Sequence, residues 1–82
     1  MYCVYVLKSL KDGRFYKGMT DNLERRIDDH FRGKVLSTRH RRPLVLVYTE
    51  QCKTRAQARR REKFLKSGPG QRFLISVLEA KV

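Results

Sequence analysis

Two runs of apolar residues alternate along the chain with segments in which apolar residues recur every three or four positions. The first run, Tyr2 to Leu10, is rich in valine and tyrosine and predicts a strand that is covered on both faces. The second, Leu44 to Tyr48, follows Pro43 and is apolar throughout, so it also predicts a strand covered on both sides. We expect these two runs to form the buried part of a sheet.

A hairpin is predicted directly after the first run. Asp12-Gly13 is a dipeptide typical of tight hairpins, because glycine tolerates positive φ, and it predicts a second strand from Arg14 to about Gly18. With a two-residue Asp12-Gly13 loop, Tyr16 lies opposite Ser9. Tyr16 then shares one face of the sheet with Tyr5, because side chains alternate with a period of two.

The first helical segment is predicted from Asn22 to Phe31. Asp21, with Glu24 three positions later, has the form of a capping box variant, and Gly33 marks the expected end of the helix. The second helical segment runs from about Arg55 to Lys66. Thr54 and Gln57 form its capping box, and Gly68 is expected as its C′ residue.

The last segment completes the predicted order of elements. Pro69 and Gly70 are expected to break the chain, and a short helix is favoured over an extended segment for Gln71 to Leu78. The order is β-β-α-β-α-(α), which predicts an α+β fold with a small three-stranded mixed sheet flanked by helices. Residues 1–82 are expected to form one domain, with its core at about 1–78.

Five polar residues occupy positions that the patterns place inward or half-buried. They are the two tyrosines of the sheet, Tyr5 and Tyr16, Arg26 and His30 at the edge of the apolar face of the first helix, and Glu62 on the apolar stripe of the second. A buried carboxylate needs a partner, which for Glu62 is either an arginine such as Arg26 or a divalent cation. For the tyrosines and His30, core packing and a satisfied helix histidine are the alternatives to a chemical role.

Charge narrows the class of partner. Lys and Arg number 20 and Asp and Glu 8, for a net charge of +12, which predicts a polyanionic partner, most simply nucleic acid. No apolar run approaches the roughly 18 residues of a membrane span, and the apolar N-terminus lacks the basic stretch of a signal peptide, so a cytoplasmic protein is expected. Cys3 and Cys52 have no metal-binding spacing and are expected to be small buried residues.

The polar constellation resembles the GIY-YIG nuclease family, above all its small stand-alone bacterial members. The resemblance rests on Cys3-Val4-Tyr5, on Tyr16-Lys17-Gly18, on the Arg26-x-x-x-His30 spacing that follows Leu23, and on Glu62 in the later segment Ala58 to Lys66. It covers about 75 residues, and the family fold of a three-stranded sheet flanked by helices agrees with the order predicted above.

The resemblance implies a metal-dependent DNA endonuclease of low sequence specificity, with links to DNA repair or recombination. Tyr5 and Tyr16 correspond to the motif tyrosines, one of which takes a proton from the attacking water. Arg26 corresponds to the arginine that stabilises the phosphate, His30 to a relay or positioning histidine, and Glu62 to the ligand of one divalent ion, Mg²⁺ or Mn²⁺. Gly18 is expected to let the backbone come close to the first helix and to the phosphate.

The sequence departs from the family pattern at three points. Cys3 replaces a glycine, Lys17 replaces an apolar residue, and the segment Gly70 to Val82 lacks the asparagine that many relatives have. Lys17 either faces solvent or contacts phosphate. A non-catalytic nucleic-acid-binding module is therefore the alternative to an enzyme.

Basic clusters surround the predicted site. A solvated face is the simpler interpretation, and phosphate contact is favoured because of the high net charge. The residues predicted to contact nucleic acid, DNA with RNA as an alternative, are Lys17, Arg25, Arg39, Arg41, Arg42, Arg55, Arg59, Arg60 and Lys63, and Arg61 belongs to the same run. A bare domain has little surface for target selection, so a protein partner is a further expectation.

Overall fold

The computed structural model describes residues 1–79, and residues 80–82 of the predicted domain lie outside the described residues. The elements follow the predicted order, with a 3₁₀ turn at Arg39–Arg41 before the third strand. They are β1 (Tyr2–Ser9), β2 (Phe15–Thr20), α1 (Leu23–Phe31), β3 (Leu44–Cys52), α2 (Arg55–Lys66) and α3 (Gly68–Glu79).

The sheet has the order β2-β1-β3 and is antiparallel at both pairings. The α+β class is confirmed, but the prediction of a mixed sheet is wrong, because both neighbours of β1 run opposite to it. β1 is central and buried from Cys3 to Leu7, as its composition predicts.

Side chains of β1 supply the core on both faces of the sheet. Val4 and Val6 point to one face and pack with α2 and α3, around a cluster that includes Leu65 and Leu74. Tyr5 and Leu7 point to the opposite face, together with the apolar residues of α1. The sheet thus separates α1 from α2 and α3, and each helix buries one stripe against it.

The hairpin loop is longer than predicted. Ser9 N donates to Arg14 O and Gly13 N to Ser9 O, so four residues lie between the bonded residues Ser9 and Arg14, and Gly13 takes a positive φ of 75°. The Ser9 hydroxyl accepts from the N–H groups of Lys11 and Asp12, which stabilises this wider turn. Tyr16 consequently lies opposite Leu7 rather than Ser9.

The register shift is two residues, an even number, so it does not move side chains to the other face. Tyr16 therefore remains on the same face as Tyr5, as predicted. Tyr5 itself pairs with Gly18, and this pairing is important for the site described below.

Strand β3 extends to Cys52 and is not covered on both sides as predicted. It is an edge strand, and α1, with nine residues, is too short to cover it. Leu46 is 39% exposed, and Thr49 and Gln51 are exposed on the same face.

Three predicted helix boundaries need correction. The N-cap of α1 is Asn22 rather than Asp21, since its side chain accepts from Arg25 N at 3.1 Å. Gly68 is not a left-handed C′ residue, because Ser67 ends α2 in an extended conformation and Gly68 begins α3. Pro69 therefore lies in the first helical turn, where proline is tolerated, instead of breaking the chain.

The remaining boundary predictions agree with the structure. Gly33, with φ 79°, follows the C-cap of α1, and Thr54 caps α2 by accepting from Gln57 N at 3.1 Å. Cys3 is buried and Cys52 half-buried. Within residues 1–79, none of the helices has the length and apolar character that crossing a membrane requires.

Candidate active site

The hydroxyl group of Tyr5 is the centre of the polar constellation. It lies 2.8 Å from His30 Nε2, and Arg26 Nε donates to it at 3.4 Å. The Tyr5 side chain is 1% exposed. Strand β1 and helix α1 therefore bring together three residues that are separated by 21 and 25 positions in the sequence.

Gly18 is what allows the Tyr5 ring to reach this position. A Cβ atom on Gly18 would lie 2.5 Å from the Tyr5 hydroxyl oxygen and 2.6 Å from Cζ, closer than real Cβ contacts come. The ring of Tyr5 thus crosses the backbone of β2 at the one residue in that strand without a side chain. The neighbour of Gly18 is therefore the Tyr5 ring of β1, and not the first helix that the sequence predicted.

His30 is fully buried and both of its ring nitrogens are hydrogen-bonded. Nε2 contacts Tyr5, and Nδ1 lies 2.8 Å from Thr38 Oγ1. Burial, reinforced by the nearby positive charge of Arg26, lowers the pKa of His30 to about 4. The imidazole is therefore neutral at pH 7, so one nitrogen donates and the other accepts.

The hydrogen-bond inventory favours one tautomer of His30. Arg26 already donates to the Tyr5 oxygen, so the Tyr5 O–H has His30 Nε2 as its acceptor. Nδ1 then carries the proton and donates to Thr38 Oγ1. Thr38, which is also fully buried, was not among the residues predicted from the sequence. It lies in the basic loop at residues 34–42, between α1 and β3, where nothing distinguishes it from neighbouring polar residues.

Tyr16 lies beside this network and is more accessible. Its ring centroid is 6.4 Å from that of Tyr5 and 5.0 Å from that of His30, and the residue is half-buried. Hydrogen bonding to Tyr5 raises the pKa of the Arg26 guanidinium, and Tyr16 acts in the same direction. Tyr16 therefore combines proximity to the cation with access to solvent.

Glu62 approaches the site from the other side of the sheet edge. Its carboxylate forms an ion pair with Lys66, one helical turn away, at 3.0 Å, and not with Arg26, the partner considered above. The Glu62 side chain is 18% exposed and lines a cleft of about 350 Å³ with Thr20, Asp21, Arg55 and others. Burial raises the pKa of Tyr5, the hydrogen bond from Arg26 acts against this, and the charge of Glu62 is a smaller contribution in the raising direction.

The donor set near Glu62 fits a weakly held hard cation. Within the described residues, no three His, Cys, Asp or Glu side chains cluster closely enough to form a protein metal cage. Mg²⁺ often uses one or two carboxylates and keeps several water ligands. Glu62 and Asp21 both line this open cleft, which is compatible with that mode of binding.

Lys17 does not simply face solvent. Its amine donates to Gln71 Oε1 at 2.9 Å and lies 5.8 Å from the centroid of the Phe15 ring. Partial burial, followed by the charges of Arg41 and Lys66, lowers the pKa of Lys17. Gln71, at the start of α3, is thus a second polar partner that sequence reasoning missed.

The basic residues differ in their surroundings. Arg41 has the Asp12 carboxylate at 3.9 Å, whereas seven of the predicted contacts are exposed, namely Arg25, Arg39, Arg42, Arg55, Arg59, Arg60 and Lys63. Arg61 does not belong to this surface. Its guanidinium pairs with Glu50 at 2.9 Å and covers the rings of Phe64 and Phe73 at 4.7 and 4.9 Å.

The sequence of this chain matches a known protein family over most of its length. The family model described as the GIY-YIG catalytic domain matches residues 1–71. The chain belongs to the GIY-YIG family. The resemblance seen in the sequence is confirmed, and the protein carries a domain of a nuclease family.

Relatives of this GIY-YIG protein share most of its length. A UPF0213 protein of Staphylococcus haemolyticus is 42% identical over 77 residues, which are 93% of each chain. Another, of Desulfotalea psychrophila, is 42% identical over 80 residues, covering 93% of this chain and 72% of that protein. The solution NMR structure of a UPF0213 protein from Bacillus halodurans is similar in fold, with a TM-score of 0.57 and 37% identity over 94% of this chain and 85% of that one.

Proposed function

We propose that this GIY-YIG protein is a metal-dependent DNA endonuclease that hydrolyses phosphodiester bonds with low sequence specificity. The observation that supports this most strongly is the Tyr5 hydroxyl, which is held between His30 Nε2 and Arg26 Nε. A buried tyrosine needs one hydrogen-bond partner. This one has two, on consecutive turns of α1, and it holds Arg26 beside the more accessible Tyr16.

Tyr16 is the proposed proton acceptor from the attacking water. Tyr16 is half-buried whereas Tyr5 is 1% exposed, so Tyr16 is the more accessible of the two tyrosines to water. Burial also raises the pKa of Tyr5, which opposes its use as a base. We therefore assign Tyr5 to positioning: it orients Arg26 and fixes His30.

Arg26 is the proposed ligand of the scissile phosphate. Only its Nε bonds to Tyr5, and the two terminal nitrogens of the guanidinium can donate to phosphate oxygens in the bidentate manner typical of arginine. Because negative charge develops on those oxygens during hydrolysis, such donors stabilise the transition state more than the ground state. His30, neutral and buried, hydrogen-bonds to the Tyr5 hydroxyl, which in turn accepts from Arg26 Nε and orients it.

Glu62 is the proposed holder of one divalent ion, Mg²⁺ or Mn²⁺. When bound, that ion supplies Lewis-acid stabilisation of the scissile phosphate and of the leaving oxygen. Glu62 pairs with Lys66 at 3.0 Å and lines the open cleft in the free protein.

The exposed arginines and lysines are the proposed contacts to the nucleic-acid backbone. Such contacts are independent of sequence, so selection by shape, for branched, nicked or damaged DNA, is consistent with a role in repair or recombination. A cytoplasmic location, RNA as an alternative substrate and a protein partner that helps to select targets belong to the same proposal.

The test is cleavage of supercoiled plasmid, single-stranded and branched DNA in Mg²⁺ or Mn²⁺ and in EDTA. We expect cleavage that EDTA abolishes and that Glu62→Gln and Arg26→Ala each reduce by two orders of magnitude or more. Glu24→Gln, on an exposed residue of α1, is the matched control and should retain activity. Binding without cleavage of any of these substrates would instead establish a non-catalytic nucleic-acid-binding module.

A further inference from the structure

A second groove lies at the C-terminal end of α1, where its lining residues Phe31 and Arg39 directly follow His30 and Thr38 in the sequence. Its volume is about 630 Å³, larger than the cleft beside Glu62. Its lining shares no residue with that cleft or with the pocket that contains Arg26. The lining consists of Lys11, Phe31, Arg39, His40, Arg42, Pro43 and Leu44.

The basic side of this groove is held in place by hydrogen bonds. Lys11 Nζ donates to His40 O at 3.1 Å, and Arg42 Nε donates to Arg39 O at 3.0 Å. The loop is tied to the hairpin by the buried Ser9, whose hydroxyl donates to Arg41 O at 2.7 Å. The cations therefore project from a fixed backbone rather than from an untethered loop.

Gly33 brings one of these cations close to α1. The Arg42 guanidinium lies where a Cβ of residue 33 would be, with Cζ at 2.6 Å from that position, and Gly33 has a positive φ of 79°. A side chain at this position would displace the guanidinium. Arg42 is thereby kept at the end of the helix that carries Phe31.

The groove combines positive charge with an exposed aromatic ring. Three of its lining residues are lysine or arginine, and among the described lining residues none is acidic. Phe31 is 45% exposed, and the neighbouring Pro43 and Leu44 give the groove an apolar wall. Cations alone could bind any polyanion. An exposed aromatic ring beside them can in addition stack on an unpaired base while the cations bind the adjoining phosphates.

We propose that this groove binds single-stranded nucleic acid, with one base stacked on Phe31 and the adjoining phosphates on Arg39 and Arg42. The inference rests on the proposed function, since it gives the nuclease a preference for substrates with an unpaired strand. Helix α1 has nine residues and is therefore about 13 Å long. Arg26 precedes Phe31 by five residues in this helix, about 7.5 Å along its axis, so a strand held at Phe31 can continue towards Arg26.

The test measures binding in EDTA, so that no cleavage occurs, by fluorescence anisotropy of a labelled 12-nucleotide thymidine strand and of a duplex of equal length. Phe31→Ala should weaken single-strand binding on the order of tenfold and change duplex binding less than twofold. Phe31→Tyr should restore it, and Phe31→Leu, which keeps the apolar bulk without the ring, should not. Leu36→Ala, on a 75% exposed loop residue outside the groove, is the control.

Salt titration tests the phosphate contacts separately. Arg39→Gln and Arg42→Gln should each reduce the salt dependence of single-strand binding by about 0.7 in the log–log slope. Unchanged single-strand affinity in both Phe31→Ala and Phe31→Leu, or an equal loss for strand and duplex, would overturn the proposal. If the Phe31 variants lose single-strand affinity selectively but the protein cleaves no substrate, the groove is supported and the proposed nuclease activity is refuted. If the protein cleaves DNA but the Phe31 variants show no selective loss of single-strand affinity, the nuclease activity is supported and the groove is refuted.

Discussion

Thr38 Oγ1 lies 2.8 Å from His30 Nδ1, and both side chains are fully buried. This contact joins the basic loop to α1 directly behind the candidate active site. Nε2 of the same ring contacts the Tyr5 hydroxyl. The Thr38 hydroxyl therefore fixes the orientation of the imidazole ring that hydrogen-bonds to Tyr5. We expect it to act as a positioning residue.

Removal of the Thr38 hydroxyl should therefore affect both stability and activity. Thr38→Val keeps the volume but leaves His30 Nδ1 buried without a partner, which costs ~1–3 kcal/mol in the free energy of unfolding. Thr38→Ser should retain most of the stability and of the cleavage rate, and Ser37→Ala, at the exposed neighbour, should be neutral. Urea denaturation and plasmid cleavage measure the two effects, and equal behaviour of the valine and serine variants would contradict this role.

The buried His30 should make folding sensitive to acid. Its pKa is lowered to about 4 in the folded protein from about 6.5 in the unfolded chain. The imidazole is neutral in both states above pH 6.5, so its contribution to stability is complete there. As the pH falls from 6.5 towards 4, only the unfolded state gains the proton, and the free energy of unfolding drops by up to ~1.4 kcal/mol per pH unit.

The comparison with His30→Gln isolates this effect from the titration of carboxylates. Both proteins share the acidic residues and the exposed His40, so the difference between their free energies of unfolding, measured by denaturation from pH 7.5 to 4.5, reports on His30. The difference should shrink as the pH falls. A difference that stays constant across this range would mean that His30 titrates normally in the folded protein.

The two tyrosines should respond differently to loss of their hydroxyl groups. Tyr16→Phe should lower the cleavage rate by ~10²–10⁴-fold, as expected for loss of a general base, with a change in stability within about 0.5 kcal/mol. Tyr5→Phe removes the partner of the buried His30 Nε2 and should cost ~1–3 kcal/mol of stability. Cleavage that survives Tyr16→Phe but not Tyr5→Phe would reverse the assignment of the base.

Gly18 should tolerate no side chain. Gly18→Ala places a Cβ 2.5 Å from the Tyr5 hydroxyl oxygen, so the ring must move away from His30 and Arg26. We expect at least a tenfold loss of cleavage together with a lower melting temperature. In the matched control Gly68→Ala, the nearest atom is Arg72 Nη1 at 3.7 Å and φ is not positive, so folding and activity should be retained.

Adjacent arginines on α2 should separate binding from stability. Arg61→Gln removes the pair with Glu50 and the stacking on Phe64 and Phe73, which should cost ~1–2 kcal/mol and leave the salt dependence of DNA binding unchanged. Arg60→Gln, at an exposed residue, should leave stability unchanged and reduce the slope for duplex DNA by about 0.9. If Arg61→Gln instead reduced the salt slope and Arg60→Gln reduced stability, Arg61 rather than Arg60 would lie on the binding surface.

The sequence by itself determined the order of the elements, the burial of the first apolar strand on both faces, the cap at Thr54 and the common face of Tyr5 and Tyr16. These features follow from local rules: hydrophobic period, capping chemistry and the period of two in a strand. The motif spacing also identified the family correctly. Even the wrong hairpin register left the tyrosines on one face, because a shift of two residues preserves side-chain parity.

Only the tertiary structure decided which polar residues touch each other. The contact of His30 with Thr38, the pairing of Lys17 with Gln71 and the stacking of Arg61 on two aromatic rings join residues from different elements, and no local pattern encodes such distances. The same holds for the basic residues, which are equivalent in the sequence. Packing separates Arg61, held against the core, from the exposed arginines that remain free to bind phosphate, because burial and partner depend on what the rest of the chain brings alongside.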